Sequence, residues 1–71
     1  MNYLEFLADV MIKYATSGDD TVRYGQVYFN HLLEVKPRIA SELRGSLLDP
    51  FHRDNCPPKL HEWVEARWTN E

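Results

Sequence analysis

Cysteine is almost missing from this chain: Cys56 stands alone, so no disulfide can form within it. That usage points to a reducing compartment, the cytosol rather than an oxidising space. Long apolar runs are missing too, and no stretch approaches the ~18 residues that a membrane-spanning helix needs. The opening segment carries Glu5 and Asp9 in place of a basic region and a small-residue cleavage site, so it does not read as a signal peptide. Concentrated positive charge is also lacking. Eight Lys and Arg face eleven Asp and Glu, for a net charge of −3 and a pI near 5.5. Nucleic-acid-binding domains gather cations on one face and have pI values above about 9; here the basic residues are scattered among acids. There is no alternating strand pattern of useful length, no internal repeat and no low-complexity segment. Glycine-rich phosphate loops, paired-carboxylate motifs and Ser-His-Asp patterns do not occur either.

What the chain does have is aromatic residues, with four Tyr, three Phe and two Trp among 71 residues, placed at helical spacing. The segment Arg23-Tyr24-Gly25-Gln26-Val27-Tyr28-Phe29-Asn30-His31-Leu32-Leu33 predicts a central helix over about 22–35. At about 100° per residue, Arg23, Gln26, Asn30 and Glu34 form one polar ridge, and Tyr24, Tyr28, Phe29, Leu32 and Leu33 cover the rest. Gly25 falls within the apolar face. Glycine inside a helix costs about 1 kcal/mol relative to alanine, so a close helix crossing is expected there. His31 sits at the margin of that face and reads as a partly buried histidine with one hydrogen-bond partner.

The rest of the chain follows the same code. Asn2 caps a helix over about 3–16 that Ser17-Gly18 ends. Its apolar arc of Tyr3, Leu4, Phe6, Leu7, Val10, Met11 and Tyr14, extended by Ile12, is wider than a simple surface helix needs. Either other helices wrap it, or part of it meets another chain. Gly18-Asp19-Asp20-Thr21 reads as a turn and an N-cap. Lys36-Pro37 breaks the central helix, because a residue before proline is driven out of the helical region. Pro37 then opens a short helix over 37–44, closed by Gly45. Leu47, Leu48 and Phe51 should fold over the core edge, with one helical turn over 50–53. Pro57-Pro58 leads into a last helix over 57–68, where Leu60, Trp63, Val64 and Trp68 share a face and His61, Glu62 and Glu65 point away. Arg67 falls among the apolar residues, its stem packed and its guanidinium reaching a carboxylate or terminal carbonyls. The result is one all-α domain over 1–71, with three main helices and short ones. A chain this size buries only roughly 60% of its unfolded surface, which leaves a thin stability margin.

Reactive residue types gather between Asp49 and His61. His52, Cys56 and His61 could in principle hold zinc, but their spacing matches no pair of close ligands followed by a second close pair. Cys56 could act as a nucleophile with His52 or His61 as base, yet catalysis also needs a pocket and an oxyanion donor. The expectation is therefore no catalytic, cofactor-binding or metal-ligating residue. Tyr24, Tyr28 and Phe29 could stack nucleic-acid bases, but their helical spacing favours core packing.

The block Arg23-Tyr24-Gly25-Gln26, then Tyr28-Phe29-Asn30, Pro37, Arg44-Gly45, Leu48-Asp49-Pro50-Phe51 and a Trp-bearing final helix resembles short proteins of bacteriophages and prophages that have no assigned activity. The resemblance runs over about residues 3–68. It implies a small accessory protein in the bacterial cytoplasm, dispensable for virion structure, that binds a host or phage protein, and it carries over no catalytic residues. With that setting, the expected function is non-enzymatic protein–protein interaction, with a protein partner or as a homo-oligomer. The expected partner surface is Arg23, Gln26, Asn30, Trp63 and Trp68, since Arg and Trp are enriched among interface hot spots. The alternative is a nucleic-acid-associated regulator whose dimer gathers Arg38, Arg44 and Arg53.

Overall fold

The computed structural model describes residues 1–18, 21–51 and 55–69. Four helices follow in order: α1 (Tyr3–Ala15), α2 (Tyr24–Val35), α3 (Pro37–Leu43) and α4 (Pro58–Trp68). No strand occurs among the described residues, and the all-α expectation holds. α2 lies at the centre, packed against α1 on one side and α3 on the other, while α3 also meets α4. The radius of gyration is 11.3 Å, close to the roughly 11 Å that a compact chain of this length adopts.

Each boundary has a local chemical cause. α1 opens with a capping box: Asn2 Oδ1 accepts from the Glu5 N–H at 2.8 Å, and Glu5 Oε1 accepts from the Asn2 N–H at 2.9 Å. Two of the four unpaired amides of the first turn are thereby satisfied. α2 starts two residues later than the sequence suggests. Val22 and Arg23 stay non-helical, and Arg23 (ψ 146°) occupies the cap position without a side-chain cap. Its carbonyl accepts from the Gln26 and Val27 amides, so the helix begins where its ladder begins. Lys36 ends α2 and starts α3 at once, donating to the Leu32 carbonyl at 2.7 Å and accepting from the Ala40 amide. Pro37, with no N–H to satisfy, fits the first position of α3. Gly45, just past α3, adopts φ +80°, a left-handed conformation that glycine takes without Cβ strain.

The chain after Gly45 folds back as a tight turn. Asp49 accepts the Gly45 amide on one carboxylate oxygen and the Phe51 amide on the other, both at 3.0 Å. Leu48 and Phe51 pack against the core. Leu47 corrects the expectation, since it is 94% exposed: the turn that anchors Leu48 and Phe51 points it outward. Pro50 and Phe51 are not helical; the remainder of the expected turn over 50–53 lies outside the described residues, as do Asp19 and Asp20.

The core is Tyr3, Phe6 and Val10 from α1; Tyr28, Phe29 and Leu32 from α2; Ile39, Ala40 and Leu43 from α3; and Leu60, Val64 and Trp68 from α4. Phe6 is its hub, with ring-centroid distances of 5.2 Å to Tyr28, 5.2 Å to His31 and 5.1 Å to Trp68. Gly25 is buried on α2, in keeping with its place on the apolar face.

Candidate partner-binding surface

The five residues expected to face a partner do not form one surface. Trp68 is a core residue, 5% exposed. Its indole N–H donates to the Met1 carbonyl at 3.0 Å, its ring meets Tyr3 and Phe6, and the Lys36 ammonium lies 5.2 Å from its centroid. It ties the two ends of the described chain together and leaves the list of surface anchors. Trp63 is half-buried, with the Arg67 guanidinium 3.9 Å from its ring centroid. Arg67 also donates to the Trp63 carbonyl at 3.2 Å and pairs with Glu42 at 3.5 Å, as the packed stem and reaching guanidinium expected of it require. Arg23 is exposed at the head of α2, Gln26 is half-buried and Asn30 is exposed.

Asn30 borders a cleft of about 320 Å³, together with Phe29, Leu33, Arg44, Asp49 and Phe51. Segments 23–30 and 44–51 thus meet in one place. Arg44 entered the sequence reading in the Arg44-Gly45 block and in a basic group, and was not among the expected partner residues. Of that group, Arg38 and Arg44 are exposed and Arg53 lies outside the described residues.

A larger open surface runs along α1. Leu4, Met11 and Ile12 are 73%, 62% and 60% exposed, with Ala8 and Ala15 exposed between them. Positions 4, 8, 11, 12 and 15 line one side of a helix. Tyr3, Phe6 and Val10 occupy the other side and enter the core. The wide apolar arc is therefore two faces, only one of which is covered by this chain.

Several titratable groups inside the fold bond to one another. The Tyr3 hydroxyl stands 2.8 Å from that of Tyr28 and 2.7 Å from His61 Nδ1. All three are satisfied when Tyr28 donates to Tyr3 and Tyr3 donates to a neutral His61 protonated on Nε2. His61, expected to point into solvent, is half-buried here. Burial holds both phenols protonated, with pKa values well above the ordinary tyrosine value. Burial also pushes the Cys56 thiol up to about 12, the opposite of what a thiolate nucleophile needs. His52, the other residue of the zinc and nucleophile readings, lies outside the described residues, and no cluster of three metal-type ligands occurs among those described.

His31 departs from its expectation. It is buried, stacks parallel on Phe6, and neither ring nitrogen has a hydrogen-bond partner among the described residues. Two carboxylates flank it instead, Asp9 at 3.6 Å from Nε2 and Glu34 at 3.7 Å from Nδ1. The Asp9 contact could not be read from spacing, because Asp9 comes from another helix. Tyr28 and Phe29 are buried, which places them in the core and not on a base-stacking platform. Among the described residues, no helix is long and apolar enough to cross a membrane.

Family models, curated proteins and solved structures were each compared with this chain, and none matches it.

Proposed function

We propose that the protein is a non-enzymatic interaction module of the bacterial cytoplasm, of the phage or prophage accessory type, that docks a protein partner or a second copy of itself on the open face of α1. The observation that carries this reading is the exposure of Leu4, Met11 and Ile12 along one side of a helix whose other side is fully packed. A contiguous apolar band left in water marks interaction surfaces more often than it marks chance. Its side chains sit at the offsets by which an amphipathic helix presents anchors to a groove or another helix. Chemistry-bearing groups add support from the other direction, since the buried thiol and phenols are held in their protonated, unreactive forms.

The test is the double variant Leu4→Glu/Met11→Glu. Both positions are solvent-exposed, so the far-UV spectrum and melting temperature should stay near those of the parent. Self-association in sedimentation velocity, or stoichiometric capture of a protein from a bacterial lysate, should be present in the parent and lost in the variant. A parent that remains monomeric and captures nothing would overturn the proposal, and so would a complex that the variant leaves intact.

A further inference from the structure

We infer that the cleft between α2 and the 44–51 turn is a second binding site, built for an apolar side chain with a carboxylate beside it, such as the C-terminal aromatic residue of a partner chain. The site uses none of the exposed α1 residues and does not depend on the reading given for them.

Shape comes first. At about 320 Å³ the cleft lies at the small end of the ~300–1,000 Å³ typical of ligand sites, a size suited to a single residue. One wall is apolar: Phe29 and Phe51 meet edge to face at 5.9 Å, and Leu33 is left half in water at the rim; Asn30, Arg44 and Asp49 make the other side polar. Phe29 is fixed in the core and Phe51 packs against it, so the apolar wall is largely preorganised, which lowers the entropy cost of binding.

Charge then selects the ligand. Among the described residues, the ionisable side chains lining the cleft are Arg44 and Asp49, and they differ in what already occupies them. Each Asp49 oxygen accepts a backbone amide, from Gly45 or from Phe51. Both oxygens are engaged in holding the turn. The Arg44 guanidinium has no ion pair or hydrogen bond among the described residues, and the same is true of the Asn30 side-chain amide. An unengaged guanidinium beside an apolar wall matches a carboxylate attached to an apolar body, because its planar fork donates to both carboxylate oxygens. The Asn30 amide can serve the ligand's peptide group, having both a donor and an acceptor to offer.

The experiment titrates the full chain, labelled with ¹⁵N, with N-acetyl-phenylalanine and separately with its uncharged amide, reading backbone shifts. The acid should saturate shifts at Asn30, Leu33, Arg44 and Phe51, and the amide should bind at least about threefold more weakly, the scale of one exposed charge pair. Arg44→Gln should abolish that difference with the rest of the spectrum unchanged, because the Arg44 side chain contacts no other described group by charge or hydrogen bond. Leu4→Glu/Met11→Glu should leave the titration unaltered, which keeps this result separate from the fate of the α1 reading. Equal binding of acid and amide would overturn the inference. So would the absence of saturable shifts at tens of millimolar, or inorganic phosphate shifting the same residues as strongly as the acid.

Discussion

The two sides of α1 share a helix and an apolar character, yet meet opposite fates. Tyr3, Phe6 and Val10 are buried to within a few per cent, while Leu4, Met11 and Ile12 keep more than half of their surface in water. The difference lies in what the buried side chains find. Phe6 has three aromatic rings within 5.2 Å, and Tyr3 has two hydrogen-bond partners for its hydroxyl. The exposed side offers flexible aliphatic groups that any apolar partner can cover. Specific partners select the inner face, and generic apolarity is left for the outer one.

Truncation of Phe6 should break the comparison most severely. Phe6→Ala should cost about 3–5 kcal/mol, a large part of the roughly 4–10 kcal/mol a domain of this length possesses. Leu4→Ala on the opposite side should stay within about 0.5 kcal/mol. Urea denaturation of the two variants side by side measures both; similar losses would mean that the faces are not energetically distinct.

A smaller effect tests whether polar partners fix the inner face. Tyr3→Phe strands the Tyr28 hydroxyl and His61 Nδ1 and should cost about 1–3 kcal/mol. Adding Tyr28→Phe should then cost less than Tyr28→Phe does alone, because the two hydroxyls share one bond. Additive losses in a double-mutant cycle would show that the network is not coupled.

The mildest test is pH. Burial raises the Cys56 thiol from an ordinary value near 9 to about 12, and raises Tyr3, Tyr24 and Tyr28 in the same direction. A group whose folded pKa is raised contributes its stability fully below the unfolded value and loses it as pH climbs toward the folded one. The melting temperature should therefore hold through neutral pH and fall above about pH 9. Cys56→Ala should move the onset up toward the tyrosine range. A melting temperature that stays level to pH 10.5 would show that these groups are not buried as the structure has them.

Much of the fold was legible because its signals are local. The Asn2 cap, the break at Pro37, the stop at Gly45 and the Arg67 stem all act within a few residues, where sequence spacing is a direct measure of space. The start of α2 was misplaced because Thr21 resembles an N-cap in isolation, whereas the backbone ladder begins at the Arg23 carbonyl. Of the expected surface, Asn30 lines a cleft and Trp68 fills the core. An aromatic at helical spacing carries the same signal whether a helix of its own chain covers it or a partner does.

The sequence alone determined the order and approximate ends of the four described helices and their amphipathic character, since these follow from propensity, capping and period. It also excluded an internal disulfide and a membrane-length apolar run. Only the tertiary structure decided which apolar face of α1 is core, that His61 joins Tyr3 and Tyr28, that Asp9 comes to His31, and that Arg44 and Asn30 share a cleft. Each of these pairs residues from different elements, and such distances are set by how helices pack, a quantity that no periodicity along one helix contains.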